Sequence, residues 1–167
     1  TSSATNSDGP ANYGIRLTGG PVSGTINLST GSVTVSGANS FGVSIESPFT
    51  GALTLNNVTV SGSGSTAISI SAPVTGNVTL TGTISADIGN GTGFISTATI
   101  TGALANNGTI DAGVDQSSTN GTVSAAETGR AAMLIGGNVT GGFINTGTVA
   151  GAAGTTALLV QPTTAAP

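Results

Sequence analysis

The chain has 167 residues, 28 of them Gly and 6 Pro, with no Cys, His or Trp, 5% charged residues and a net charge of −4. Cys, His and Lys are all absent, which excludes thiol nucleophiles, Ser-His-Asp triads, Cys/His zinc sites, lysine Schiff bases and disulfide frameworks. The two cations, Arg16 and Arg130, cannot neutralise a run of phosphates, so nucleic acid is not an expected partner.

With a mean hydropathy of +0.32, the chain is not of the disordered kind, which combines low hydrophobicity with high charge. Its opening, TSSATNSDGP, lacks the charged and apolar regions of a signal peptide, and no run reaches the roughly 18 apolar residues of a membrane helix. Residues 1–12 read as an N-terminal extension, and the whole as a mature or excised piece.

From Tyr13 onwards the chain repeats itself. The segment Pro21-Val22-Ser23-Gly24 recurs as Pro48-Phe49-Thr50-Gly51, Pro73-Val74-Thr75-Gly76, Thr99-Ile100-Thr101-Gly102 and Asn138-Val139-Thr140-Gly141, and in degenerate form as Pro162-Thr163-Thr164-Ala165. These anchors start about 25 residues apart, except that the step from Thr99 to Asn138 carries about a dozen more. Pro fixes φ and lacks a donor, and the Gly three residues on reaches angles closed to other residues, so each anchor reads as a corner.

Between anchors, apolar and small polar residues alternate with the period of strands that bury one face. The first strand after an anchor is Thr25–Ser29, Ala52–Asn56 or Asn77–Thr81; the second is Ser32–Ser36, Asn57–Ser61 or Thr83–Ser85. A third runs into the next anchor, at Gly42–Glu46, Ala67–Ser71, Ala132–Ile135 and Ala157–Val160. Three short strands per turn predict a β-solenoid of about six coils, in which each strand pairs with its equivalent one turn later at about 4.8 Å. An antiparallel sandwich also has short regular strands, but only stacked coils place each Val, Ile and Leu on its own kind. The solenoid is expected over residues 13–161, with an insertion loop at 113–129 and a tail at 162–167.

Two segments, Gly102-Ala103-Leu104-Ala105-Asn106-Asn107-Gly108-Thr109-Ile110 and Gly141-Gly142-Phe143-Ile144-Asn145-Thr146-Gly147-Thr148-Val149, share the form G-x-[LF]-x-N-x-G-T-[IV]. The pattern resembles the degenerate repeats of autotransporter passenger domains and related haemagglutinin-like surface proteins of Gram-negative bacteria. That resemblance implies a right-handed parallel β-helix on the outer cell surface, serving adhesion, aggregation or display. No membrane barrel follows in this sequence, so the resemblance implies a passenger fragment or a separately assembled subunit.

Two surfaces are candidates for binding. A solenoid core fixes the coil length, so the insertion must leave the wall as a loop; its Asp115, Gln116, Asn120 and Glu127 are the candidate contacts. The second is the polar wall carrying Thr34, Thr54, Thr59 and Thr79. Here Ser32, Thr34 and Ser36 should stand above Asn57, Thr59 and Ser61, and Asn27 and Ser29 above Thr54 and Asn56, then Thr79 and Thr81. Regular Thr rows resemble ice-binding faces, although Thr and Ser also suit any solvated strand face, and the rows here mix Thr, Ser and Asn.

The sequons at Asn27, Asn57, Asn77, Asn90, Asn107, Asn120 and Asn138 are expected to serve mainly as corner residues. The six carboxylates are scattered, with no pair set across a groove as a glycosidase needs, so neither catalysis nor a metal or other cofactor is expected. Arg16 should face outward, diagonally near Glu46 on the next coil, and Arg130 should lie near Glu127.

No capping helix is evident at either terminus, and unpaired strand edges template pairing with another chain. The sequence is therefore expected to encode a non-enzymatic, structural or adhesive surface module that self-associates through its solenoid ends. The alternative is an adhesin that binds glycans or a host receptor through the insertion or the polar wall; ice binding and polysaccharide degradation are remoter readings.

Overall fold

The computed structural model describes residues 11–86, 91–112, 131–151 and 156–161. Among these residues every regular element is a β-strand, and every strand pair is parallel. In these residues, high Gly content and β-branched alternation favour strand over helix.

The strands stack into a β-solenoid. One sheet consists of Tyr13–Leu17, Phe41–Ile45, Thr66–Ile70, Thr92–Ser96, Ala131–Ile135 and Thr156–Val160 in that order. About five turns therefore separate its first strand from its last. A second wall carries two strand positions per turn, Ile26–Asn27 and Val33–Ser36 in the first. In the next two turns these fuse into single nine-residue strands, Leu53–Ser61 and Val78–Ala86. They separate again as Leu104–Asn106 with Thr109–Ala112, and as Phe143–Asn145 with Thr148–Ala150.

The anchors do more than turn corners. Val22–Ser23, Phe49–Thr50 and Val74–Thr75 form a narrow third sheet, continued by bridges from Val74 to Ile100 and from Ile100 to Val139. Each turn thus has four strand positions rather than three, with Pro21, Pro48 and Pro73 immediately before the anchor strand, where a missing N–H is tolerated.

The Gly that ends each anchor has a specific cause. Gly24, Gly51 and Gly76 hold φ of 142°, 141° and 143°, and a Cβ on Gly51 would run into the carbonyl oxygen of Gly24 one turn below. At Gly51 and Gly76 the corner is both left-handed and too close to the turn below for any side chain, whereas Gly24 has open space around it.

The core is a set of vertical rows. Ile15, Val43, Ile68, Phe94, Met133 and Leu158 stack in one. Val22, Phe49, Val74, Ile100 and Val139 stack in another. Phe49, Ile68, Val74, Phe94, Ile100 and Met133 are buried, while Ile15, Val22, Val139 and Leu158 at the two ends are only partly so. Full burial of one such side chain contributes about 1.5–3 kcal/mol, so the middle turns are the most firmly held.

Successive turns are 25 or 26 residues apart, with Leu53 beside Val78 and Val58 beside Ile84, and they are linked by Asn56 Nδ2 donating to the Gly31 carbonyl and Thr81 Oγ1 to the Leu55 carbonyl. Between Asn106 and Asn145 the separation is 39. The register nevertheless resumes, with Phe94 beside Met133. The extra residues fall between Ala112 and Ala131, so the expected 113–129 insertion lies outside the described residues.

Candidate functional site

Two features of the rod are candidates for interaction: its polar wall and its last turn. On the wall, Thr34 pairs with Thr59 and Ser36 with Ser61, while Asn27 pairs with Thr54, Thr54 with Thr79 and Asn56 with Thr81. The stacking expected from the repeat is therefore present. Thr34 is exposed, and Thr54, Thr59 and Thr79 are half-buried. The Thr rows are short: beyond Thr79 comes Ala105 and then Ile144, and beyond Thr59 come Ser85 and Asp111. Asp115, Gln116, Asn120 and Glu127 lie outside the described residues, as does Arg130.

Asn side chains brace the wall. Asn57 Oδ1 accepts from the Thr83 amide, Asn77 Oδ1 from the Ala103 amide, and Asn27 Oδ1 from the amide of Ser29. Asn57 adopts φ of 47°, the left-handed conformation that Asn tolerates better than most residues. These sequon residues hold corners and successive turns together. Ser40 and Ser65 brace another corner, both buried, with Ser65 Oγ accepting from the Ser40 amide and donating to the Gly37 carbonyl.

At the first turn, Arg16 projects across to the next strand. Its guanidinium donates to both Glu46 oxygens at 2.8–3.1 Å and lies 4.3 Å from the centroid of the Tyr13 ring, which stacks on Phe41. The carboxylate raises the guanidinium's pKa, and the guanidinium, aided by the Ser44 hydroxyl, holds the Glu46 carboxyl below its ordinary range. Among the described residues, no cluster of three or more acidic, His or Cys side chains is placed to hold a metal.

The last turn has a different character. Phe143–Asn145, Thr148–Ala150 and Thr156–Val160 each pair on one side only among the described residues. Phe143, Val149 and Leu158 lie partly buried against the core, and Ile144 and Val160 are 52% and 54% exposed. Beside them is an open groove of about 460 Å³, lined by Ile135, Gly137, Asn138, Val139, Thr140, Phe143 and Val160.

Two features escape the period-2 reading. Along the outer side of the first sheet, Ser44 and Ser69 give way to Ile95, Leu134 and Leu159, each partly exposed. In the core row of Leu55 and Leu80 the next two residues are Asn106 and Asn145. Asn106 is fully buried; its Nδ2 donates to Asn145 Oδ1 at 2.8 Å and to the Thr148 carbonyl at 3.2 Å, and its Oδ1 accepts from the Gly108 amide. The signal for this rung is the Asn of the N-x-G-T segments, standing where earlier coils have Leu.

No protein-family model, no curated protein and no solved structure matches the chain. Among the described residues, no helix is long and apolar enough to cross a membrane.

Proposed function

We propose that this chain is a non-enzymatic structural and adhesive module of the passenger-like kind, carried on the outer surface of a Gram-negative bacterium and acting by self-association through its solenoid ends. The observation that carries the reading is the last turn, where, among the described residues, three strands pair on one side only beside half-buried Phe143, Val149 and Leu158. The first turn offers Ile15, Leu17, Val22, Ile26 and Leu28 in the same partly covered state. Joining the two ends is a heterologous contact, and such contacts build open filaments unless the rotation closes. Support also comes from composition: a nearly uncharged ladder stacks without like-charge repulsion.

Light scattering, sedimentation and negative-stain microscopy of the full chain test the reading. Elongated assemblies that grow with concentration are expected; a clean monomer at high concentration overturns it.

A second reading, an adhesin for glycans or a host receptor, is supported by the Thr and Asn rows of the wall and by the lengthened turn after Ala112. Loss of such binding with assembly intact, on removal of the insertion, would favour it.

A further inference from the structure

The Leu28 position, Leu55, Leu80, Asn106 and Asn145 form one core row that changes from aliphatic to amide part-way along the rod. The amide part has a direction. Asn106 turns both donor bonds towards the C-terminal turn and none towards Leu80, which meets it only as an apolar neighbour. Asn145 uses its Oδ1 to accept from Asn106, and among the described residues its Nδ2 donates to nothing in the protein. It is exposed, on the open side of the last turn.

We infer that the last turn is a selective docking edge whose partner is a solenoid coil of the G-x-[LF]-x-N-x-G-T-[IV] type, supplied by another chain and recognised by an Asn placed over Asn145. Such a coil repeats the contacts already made one turn earlier. Its Asn Oδ1 accepts from Asn145 Nδ2, the carbonyl three residues on takes the second N–H, and its own Leu or Phe and Val or Ile cover Phe143 and Val149. A coil with Leu at this position covers the same apolar residues but leaves the Asn145 amide buried without its side-chain acceptor, a mismatch worth about tenfold or more in affinity.

The consequence for self-association is specific. Among the described residues the earliest coil carries Leu28 in that row, so a copy that presents this coil to the edge is a mismatched partner. The inference rests on the proposed role of the last turn as an assembling edge.

The test titrates two labelled peptides onto the intact chain: one with the sequence of residues 141–151, and the same peptide with Asn145→Leu. Fluorescence anisotropy should show the Asn peptide binding about tenfold or more tightly, and the preference should disappear or reverse on a full chain carrying Asn145→Leu. Equal affinities, or no binding of either peptide to the unsubstituted chain, overturn the inference. Sedimentation of the chain alone is read separately: a monomer there defeats self-association while leaving the peptide preference to stand or fall by itself.

Discussion

Arg16 and Glu46 meet diagonally across two neighbouring strands: Arg16 stands in register with Ser44, yet its guanidinium closes on the carboxylate two residues further on, with Nη2 to Oε2 at 2.8 Å. Half-exposed, with side chains 45% and 26% accessible, the pair is a surface contact that salt screens. Because folding lowers the Glu46 pKa, the contribution of the pair is complete above the unfolded carboxylate value of about 4.3 and is lost as pH falls through the lower folded value. Acidification from neutrality should therefore reduce the melting temperature of the parent chain more than that of Glu46→Gln. At pH 7 and low salt the two should differ by no more than about 3 °C. A pH-independent difference would show that the pair does not titrate as described.

The anchor glycines make a second prediction. Gly51→Ala must place a methyl against the Gly24 carbonyl at φ of 141°, and it should cost at least about 2 kcal/mol in chemical denaturation. Gly20→Ala has open space around its new methyl and should stay within about 0.5 kcal/mol of the parent. Similar losses at both positions would remove the steric account of the corner.

The core rows predict where truncation hurts. Phe94→Ala empties a fully buried position between Ile68 and Met133 and should lower stability by about 3–5 kcal/mol. Ile144→Thr, on an exposed side chain, should be neutral to within about 0.5 kcal/mol. Urea midpoints of the two variants decide this, and a costly Ile144→Thr would mean that its side chain is covered in solution.

Asn106→Leu would extend the aliphatic row but leave Asn145 Oδ1, the Thr148 carbonyl and the Gly108 amide without their present partner. A loss of about 1–3 kcal/mol is expected, with hydrogen exchange rising first in Phe143–Asn145 and Thr148–Ala150. Unchanged protection in those strands would deny the amide rung its role.

Replacing residues 113–130 by the sequence of residues 87–91, which joins the equivalent strands one turn earlier, should leave the far-ultraviolet β signature and the melting temperature within about 2 °C of the parent. Assembly measured by sedimentation should persist, because the solenoid ends are untouched. Collapse of the β signal would show that the segment is part of the coil.

Much of this architecture was readable from the repeat because parallel stacking at fixed length makes register a matter of counting. Thr34 over Thr59, Asn27 over Thr54 over Thr79, and Arg16 beside Glu46 all follow from it. The anchor strands were hidden because two residues such as Val22 and Ser23 are too few to display a period. The two predicted strands fuse into Leu53–Ser61 through the left-handed Asn57, where the pairing with Val78–Ala86 shifts register between Thr81 and Ile84. Outward Ile95, Leu134 and Leu159 sit in runs of apolar residues with no alternation to assign a face. Asn106 had no assigned place beyond its position in the repeat motif, because polarity alone does not reveal a side chain whose hydrogen bonds are met by the next turn.

The lengthened turn between Ala112 and Ala131 has an implication for how such a rod acquires new parts. Lengthening a closed loop from 26 to 39 residues adds only about 0.4 kcal/mol of closure entropy, and doubling it again would add about 0.6. The coil above resumes its register with Phe94 beside Met133 as though nothing had intervened. Recombination can therefore graft foreign segments at this corner with almost no thermodynamic resistance, while the stacked rows on either side preserve the frame that displays them.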